Sequence, residues 1–508
     1  MLETLDYQSL NLYDNYAQSA AKYPTTPIIF DEKLPAFPEL NLESTYEETL
    51  KAIQLRAYQL AQLGVSKGDK VVLYKSPKFD TYMLAVAASY LAAVPVMVSY
   101  HLPVATMEVF ADRLEQPYIL FDDETANRVE KISNLPDANK ISVEHLLKQS
   151  SPSVAQAYLE KDDISYMTHT SGTTGIPKLI CHSANSMGWR TKWQKTVFKK
   201  MERIGLMGFH ISPVHSRFSI GISSAMALGF PLMPLASAKL DDVRRMFMQY
   251  PPLAVETHPN HFVQWVTLAE RFPEVFAQTK YYHSTFDAIN FRTMRVFLEA
   301  SKAQNPIFLQ VYGQSECGPM IIRAHRLETL GEVSARNMGV GLEDLTKARI
   351  ADAQGNTLPD GTDGHIQFLS KGRALTYYKE DERFQSTVFN EWWDSGDYGC
   401  IDENGHLILK DRQVDLIDAI NSNLAIEDFL LDHLDFLSEV VIVRGKENRP
   451  QPILAVAEGK EMNWDAWWEK VSDLPRLNEP ILMDYDEIPR TATMKVQRLQ
   501  LEQQLKQD

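Results

Sequence analysis

The residues with the clearest chemical content are Thr170, Ser171, Gly172, Thr173, Thr174, Gly175 and Lys178. Together they put two glycines, four hydroxyls and a lysine into residues 170–178. Glycine lets backbone amides turn toward one point, hydroxyls add rotatable donors, and the lysine supplies a point charge. That is the chemistry of a phosphate cradle. The segment is not a Walker A loop, because Pro177 stands five positions after Gly172 and no Gly-Lys-Ser/Thr follows, which argues against kinase or GTPase chemistry. Cys317 invites a nucleophile reading, yet nothing local marks an activating base. The three cysteines, Cys181, Cys317 and Cys400, lack the paired spacing of a zinc site or a disulfide framework.

These residues must be held by a scaffold, and the chain around them alternates helices with strands. A capping box, Thr45 with Glu48, opens a helical stripe of Leu50, Ile53, Ala57 and Leu60 that Gly64 closes. Residues 70–74 (KVVLY) then read as a buried strand, and residues 82–99 as a buried helix followed by a strand, with Pro95 breaking what would otherwise approach the length of a membrane span. Similar α/β regions cover about residues 164–234 and 253–311. Residues 350–409 show short strands with turn sequences (DAQGN, DENGH), as in a small β-rich subdomain with hairpins. After about Asp411, strand-like runs at 440–444 and 453–458 lie among helical stretches, which predicts a separate α+β unit.

Composition narrows the partners. The 508 residues, 44% hydrophobic and 23% charged, suit an ordinary globular protein of several subdomains. A formal net charge of −16 argues against a general nucleic-acid binder, so a polyanionic ligand must be held by local donors and a metal ion. The opening MLETLDYQSL has no basic stretch before an apolar core, so the expected compartment is cytoplasmic and no membrane span is expected.

The segment at 170–178 closely resembles the phosphate-binding signature of the adenylate-forming enzymes, the superfamily of acyl-CoA synthetases, peptide-synthetase adenylation domains and firefly luciferase, and the resemblance extends over nearly the whole chain. Residues 311–316 (VYGQSE) resemble the family motif in which an aromatic stacks on adenine, a hydroxyl meets the α-phosphate and a glutamate holds magnesium, here Tyr312, Ser315 and Glu316. Residues 392–399 (WWDSGDYG) match the turn whose aspartate accepts both ribose hydroxyls, which implies Asp397, and the following KDRQVD matches the interdomain junction, with Arg412 supporting the ribose. Residues 489–498 (PRTATMKVQR) match the motif whose lysine bridges the substrate carboxylate and the α-phosphate, which implies Lys495. Residues 212–218 correspond to the acyl-pocket segment, making His215, Arg217 and Phe218 candidates for substrate contact, and His182 falls at a largely structural position.

The resemblance therefore implies an α/β fold: an N-terminal domain, 1–411, of two α/β subdomains and a β-rich subdomain, and a small mobile α+β domain, 412–508, carrying the catalytic lysine. It implies ATP and Mg2+, a small-molecule carboxylic acid activated as acyl-AMP with release of pyrophosphate, and transfer to coenzyme A. Carrier-protein phosphopantetheine, with an acyl carrier protein as partner, is the alternative acceptor. A relative that binds nucleotide or a partner without turnover is the alternative of another class. Three departures bear on these expectations. Val414 and Asn421 replace the family's hinge residue and the glycine of its thiol-transfer face, and Met494 replaces the glycine before the terminal lysine. Phe286 and Asp287 stand where relatives carry small residues against adenine. Ser219 follows Phe218 where amino-acid-activating relatives carry an aspartate, which favours an aromatic or fatty acid over an amino acid.

Overall fold

A computed structural model describes residues 7–170, 176–285, 289–331, 334–342, 344–417, 420, 422–457, 459–490 and 496–506. The chain is mixed α/β and divides into two compact units, one of Met1–Glu256, Ser315–Pro319 and Lys371–Ser386, the other of Thr257–Gln314, Met320–Ser370 and Thr387–Asp508.

The first unit is built on a seven-stranded sheet. Its order is Thr376–Tyr377, Leu179–Ser183, Ile164–His169, Val94–Met97, Lys70–Leu73, Tyr118–Phe121, Lys140–Ser142. The last five of these run parallel, whereas Leu179–Ser183 is antiparallel to Ile164–His169. Strands buried on both faces read as continuous apolar runs, and Val72, Val94, Val96, Ile119, Met167 and Leu179 indeed share one core cluster. The helix Tyr46–Gln62 begins at the expected capping box, with Thr45 and Glu48 satisfying each other's backbone N–H. The helix Phe79–Tyr90 is buried along its whole length and leads into Val94–Met97, so the apolar stretch at 82–99 is core. Among the described residues no helix is long and apolar enough to cross a membrane. The same unit carries strands ordered Ala254–Thr257, Met207–His210, Leu232–Pro234, Pro27–Ile29 and Glu43–Thr45.

In the second unit, Tyr281–Thr285 pairs parallel with Ile307–Gln314. Gly318–His325, Asn337–Gly341, Leu407–Arg412, Trp392–Ile401, Gly364–Ser370 and Thr346–Ala351 follow in order. The last four form the antiparallel hairpin region that the turn sequences predict. The chain reverses there through Asx turns: Asp352 Oδ1 accepts from the Asn356 amide at 2.8 Å and Asp402 Oδ1 from the His406 amide at 2.9 Å, with Gly355 and Gly405 supplying the positive φ.

Beyond residue 416 a three-stranded sheet, Leu437–Arg444, Pro450–Val456 and Ile481–Leu482, separates two apolar clusters. Val440 and Ile442 face one cluster and Val441 and Val443 the other, which is why VVIVR shows no polar alternation. The helix Asn423–His433 is capped by Asp411, whose carboxylate accepts from the amides of Asn423 at 2.9 Å and Leu424 at 3.3 Å.

Burial, reinforced by Glu427, raises the Asp411 carboxyl to about 6 against those two amides. A group whose acid form the fold favours contributes stability that is complete below the ordinary aspartate pKa and is lost as pH rises through about 6. Asp411→Asn keeps one capping oxygen and cannot titrate. Urea midpoints between about pH 4 and pH 7 should therefore fall less steeply in the variant than in the parent; identical slopes would refute this assignment.

Candidate active site

In the first unit, Thr170 and Lys178 close the neck of the glycine- and hydroxyl-rich segment. The Lys178 amide donates to Thr170 Oγ1 and the Thr170 amide to the Lys178 carbonyl, both at 3.0 Å. The neck is steadied by buried His169, which hydrogen-bonds the Thr170 carbonyl through Nδ1 at 2.6 Å and accepts from the Ser99 amide at Nε2. Burial lowers the His169 pKa, so it serves as a neutral ring with fixed polarity. Ser171, Gly172, Thr173, Thr174 and Gly175 lie outside the described residues.

Lys178 donates to the Tyr377 hydroxyl at 3.0 Å, and that hydroxyl donates to Glu316 Oε1 at 2.7 Å. Behind Glu316 lies Arg190, wholly buried on the helix Ala184–Phe198. Its guanidinium donates to the carbonyls of Ser315 at 3.0 Å, Glu316 at 2.8 Å and Gly372 at 2.7 Å, and to Ser216 Oγ at 3.2 Å. Among the described residues no carboxylate pairs with Arg190, and burial brings its pKa down to about 10. Gly318 is required beside it, with φ +82° and a Cβ position 2.7 Å from Arg190 Cδ. Cys317 is buried in the same place and its thiol is pushed up to about 12, chiefly by burial, so it is no thiolate nucleophile.

The second unit gathers Tyr312, Gln314, Asp397 and Arg412. Asp397 and Arg412 are opposite each other on the strands Trp392–Ile401 and Leu407–Arg412, with Arg412 Nε 3.7 Å from Asp397 Oδ1. The Tyr312 hydroxyl donates to Asp397 Oδ2, and burial together with Asp397 raises the phenol pKa well above its ordinary value. Gln314 Nε2 donates to the Ser395 carbonyl at 2.5 Å and to Asp397 Oδ2 at 3.3 Å, while its Oε1 accepts from Trp393 at 3.0 Å. Tyr312 also packs edge-on to Phe368. Val414 is exposed, and Asn421, Met494, Lys495, Phe286 and Asp287 lie outside the described residues.

The acyl-segment candidates face the interior of the first unit. Arg217 is paired bidentately with Glu256 at 2.5 and 2.6 Å and donates to Gln194 Oε1 at 2.5 Å, all three side chains being buried. Its charge is therefore matched within the protein. Phe218 packs against Phe79 and Tyr82. His215 is buried at the start of the helix Ser216–Ala227. The Ser219 hydroxyl lies 3.0 Å from the Tyr166 hydroxyl. His182, buried and held neutral by burial, contacts Thr168 Oγ1 at 3.0 Å, a structural role.

Glu316 fits a hard cation. One carboxylate oxygen is committed to Tyr377, and the other has no hydrogen-bond partner among the described residues. Magnesium is commonly bound through one or two carboxylates plus substrate phosphates. Tyr377, Arg190 and Gln314 were not legible as site residues; a glutamine beside a motif tyrosine and an arginine on a polar-looking helix carry no local signal.

The sequence profile of the AMP-binding enzyme family matches residues 16–378. The chain is 31% identical, over 96% of its length and 94% of the relative's, to the 3-amino-2-hydroxy-4-methoxybenzoate diazotase of Streptomyces cremeus. It is 24% identical, over 75% of its length and 76% of the relative's, to the 2-succinylbenzoate–CoA ligase of Oceanobacillus iheyensis. Its fold matches the o-succinylbenzoate CoA synthetase of Bacillus subtilis in complex with the acyl-adenylate intermediate OSB-AMP, with TM-score 0.80, 18% identity, and coverage of 98% of this chain and 99% of that one. The chain belongs to the AMP-binding enzyme family, whose members include acyl-CoA ligases.

Proposed function

We propose that this AMP-forming ligase activates a small aromatic or fatty carboxylic acid as acyl-AMP, releasing pyrophosphate, and passes the acyl group to a thiol, coenzyme A first and carrier-protein phosphopantetheine as the alternative. The observation that carries the reading is the chain Lys178–Tyr377–Glu316, which couples the lysine that closes the glycine- and hydroxyl-rich segment to a carboxylate. Lys178, with the donors of residues 170–175, orients the triphosphate for in-line attack by the carboxylate. Glu316 and Ser315 act at the phosphates, with Glu316 holding magnesium, which when bound neutralises charge on the phosphate oxygens. Asp397, supported by Arg412, receives the ribose hydroxyls, Tyr312 flanks the adenine, and Lys495 steadies the charge developing between carboxylate and α-phosphate. Ser219 after Phe218 supports an acid without an ammonium group.

The Streptomyces cremeus relative favours a second reading. Diazotisation joins an aromatic amine to nitrogen at the oxidation level of nitrite, with loss of oxygen. In that reading nitrite takes the carboxylate's place at the α-phosphorus and displaces pyrophosphate, the amine nitrogen attacks the nitrosyl nitrogen of the resulting adenylate, and AMP leaves with one nitrite oxygen. The second oxygen leaves as water when the N-nitrosamine, through its diazohydroxide form, takes up a proton and becomes the diazonium. The changes at Val414 and Asn421, at the hinge and the thiol-transfer face of the family pattern, support an acceptor other than a thiol.

ATP–pyrophosphate exchange across fatty, aromatic and amino acids and nitrite separates the readings. Exchange driven by an aromatic or fatty acid supports the first, exchange driven by nitrite alone supports the second, and ATP binding with no exchange supports a binder without turnover. In the first two cases Lys495→Ala should lower exchange about 10²–10³-fold with ATP affinity largely kept. Unchanged exchange would remove Lys495 from the mechanism.

A further inference from the structure

Tyr377 reaches the first unit from far along the chain. The strand Thr376–Tyr377 runs antiparallel to Leu179–Ser183 with Tyr377 opposite Ile180, and the Tyr378 amide donates to the Leu179 carbonyl at 2.8 Å. That register sets the phenol against Lys178, the residue immediately before the strand. The ring is buried, packs edge-on to Phe384 at 5.1 Å, and has the Lys178 ammonium 4.3 Å from its centroid. Its hydroxyl accepts from Lys178 and donates to Glu316, so the three groups form one polarised series from cation to anion. At the backbone, the Glu316 carbonyl accepts from Arg190 at 2.8 Å and from the Ala374 amide at 2.6 Å, so the residue is held at both ends.

We propose that Tyr377 is a positioning residue of the nucleotide site, a phenol spacer that couples the phosphate-binding Lys178 to the magnesium-holding Glu316 and keeps the two from pairing directly. The inference rests on the nucleotide reading above. A lysine and a glutamate this close would otherwise form an ion pair that uses up the charges needed for phosphate and for a divalent cation. The spacer aims each at its own target.

The test is equilibrium ATP binding, with and without Mg2+, in the parent, Tyr377→Phe, Lys178→Met and the double variant. Tyr377→Phe keeps the ring that packs on Phe384. It should weaken magnesium-supported ATP binding about tenfold, the value of one hydrogen bond to a charged group. In the Lys178→Met background the same change should cost less than about threefold, because the coupled partner is already gone. An equal penalty in both backgrounds would mean that the hydroxyl acts independently of Lys178, and would overturn the coupling. A parent that binds ATP with a magnesium response that Tyr377→Phe leaves intact would overturn this inference alone. A parent that binds no ATP would overturn the proposed function and the inference together.

Discussion

Glu316→Gln should lower ATP–pyrophosphate exchange by about two to three orders of magnitude, the several kcal/mol that a correctly held metal ion supplies. The amide is close to isosteric. Its oxygen can still accept from the Tyr377 hydroxyl, and the backbone carbonyl keeps its bonds to Arg190 and Ala374, so the local fold has no reason to change. What is lost is the negative charge on the oxygen that faces no protein donor among the described residues. A neutral amide is a poor ligand for magnesium. Raising the magnesium concentration should recover part of the rate, and thermal stability should stay close to that of the parent. Full exchange with an unaltered magnesium requirement would show that the ion is held elsewhere.

The second large effect is on stability. Glu256→Ala should destabilise the chain by about 3–5 kcal/mol, the usual penalty for removing one partner of a buried ion pair. Arg217 would keep its charge and its contact to Gln194 but lose both carboxylate oxygens in an interior where Phe209 also packs close by, near Gly221. Replacing both partners, Arg217→Met with Glu256→Leu, should recover most of the loss, since apolar side chains of similar size carry no desolvation cost. Urea denaturation of the three variants measures this. A loss below about 1 kcal/mol for Glu256→Ala would mean that water reaches the guanidinium. If Arg217 instead met a substrate anion, its replacement would change KM more than stability.

These contacts show where sequence reading runs out. The capping box at Thr45 and Glu48, the doubly buried strands, and the Asx turns at Asp352 and Asp402 were legible because each is decided within a few residues. The phosphate cradle proposed at residues 170–178 rests on residue types alone, and the roles proposed for Tyr312, Glu316, Asp397 and Lys495 rest on family resemblance. Contacts between distant segments left no local trace. Tyr377 lies 199 residues from Lys178 and 61 from Glu316, and only an edge-strand register brings them together. Arg217 is a candidate for substrate contact through the resemblance of residues 212–218 to the acyl-pocket segment, and its pairing with Glu256, 39 residues on, carries no mark in the sequence. Arg190 sits in a run of mixed polarity that gives no sign of burial.

The buried guanidinium of Arg190 also ties the order of synthesis to the order of folding. Its acceptors at Ser315, Glu316 and Gly372 are translated long after it, the last 182 residues later. At about 5–20 residues per second, a ribosome takes roughly ten to forty seconds to deliver them. Throughout that interval the nascent chain holds Arg190 without its carbonyls and Leu179–Ser183 without the edge strand at Thr376–Tyr377. The first unit thus completes its Thr376–Tyr377 edge last, and a fragment ending at Glu256 would present to chaperones an open strand beside a guanidinium without its three carbonyl acceptors.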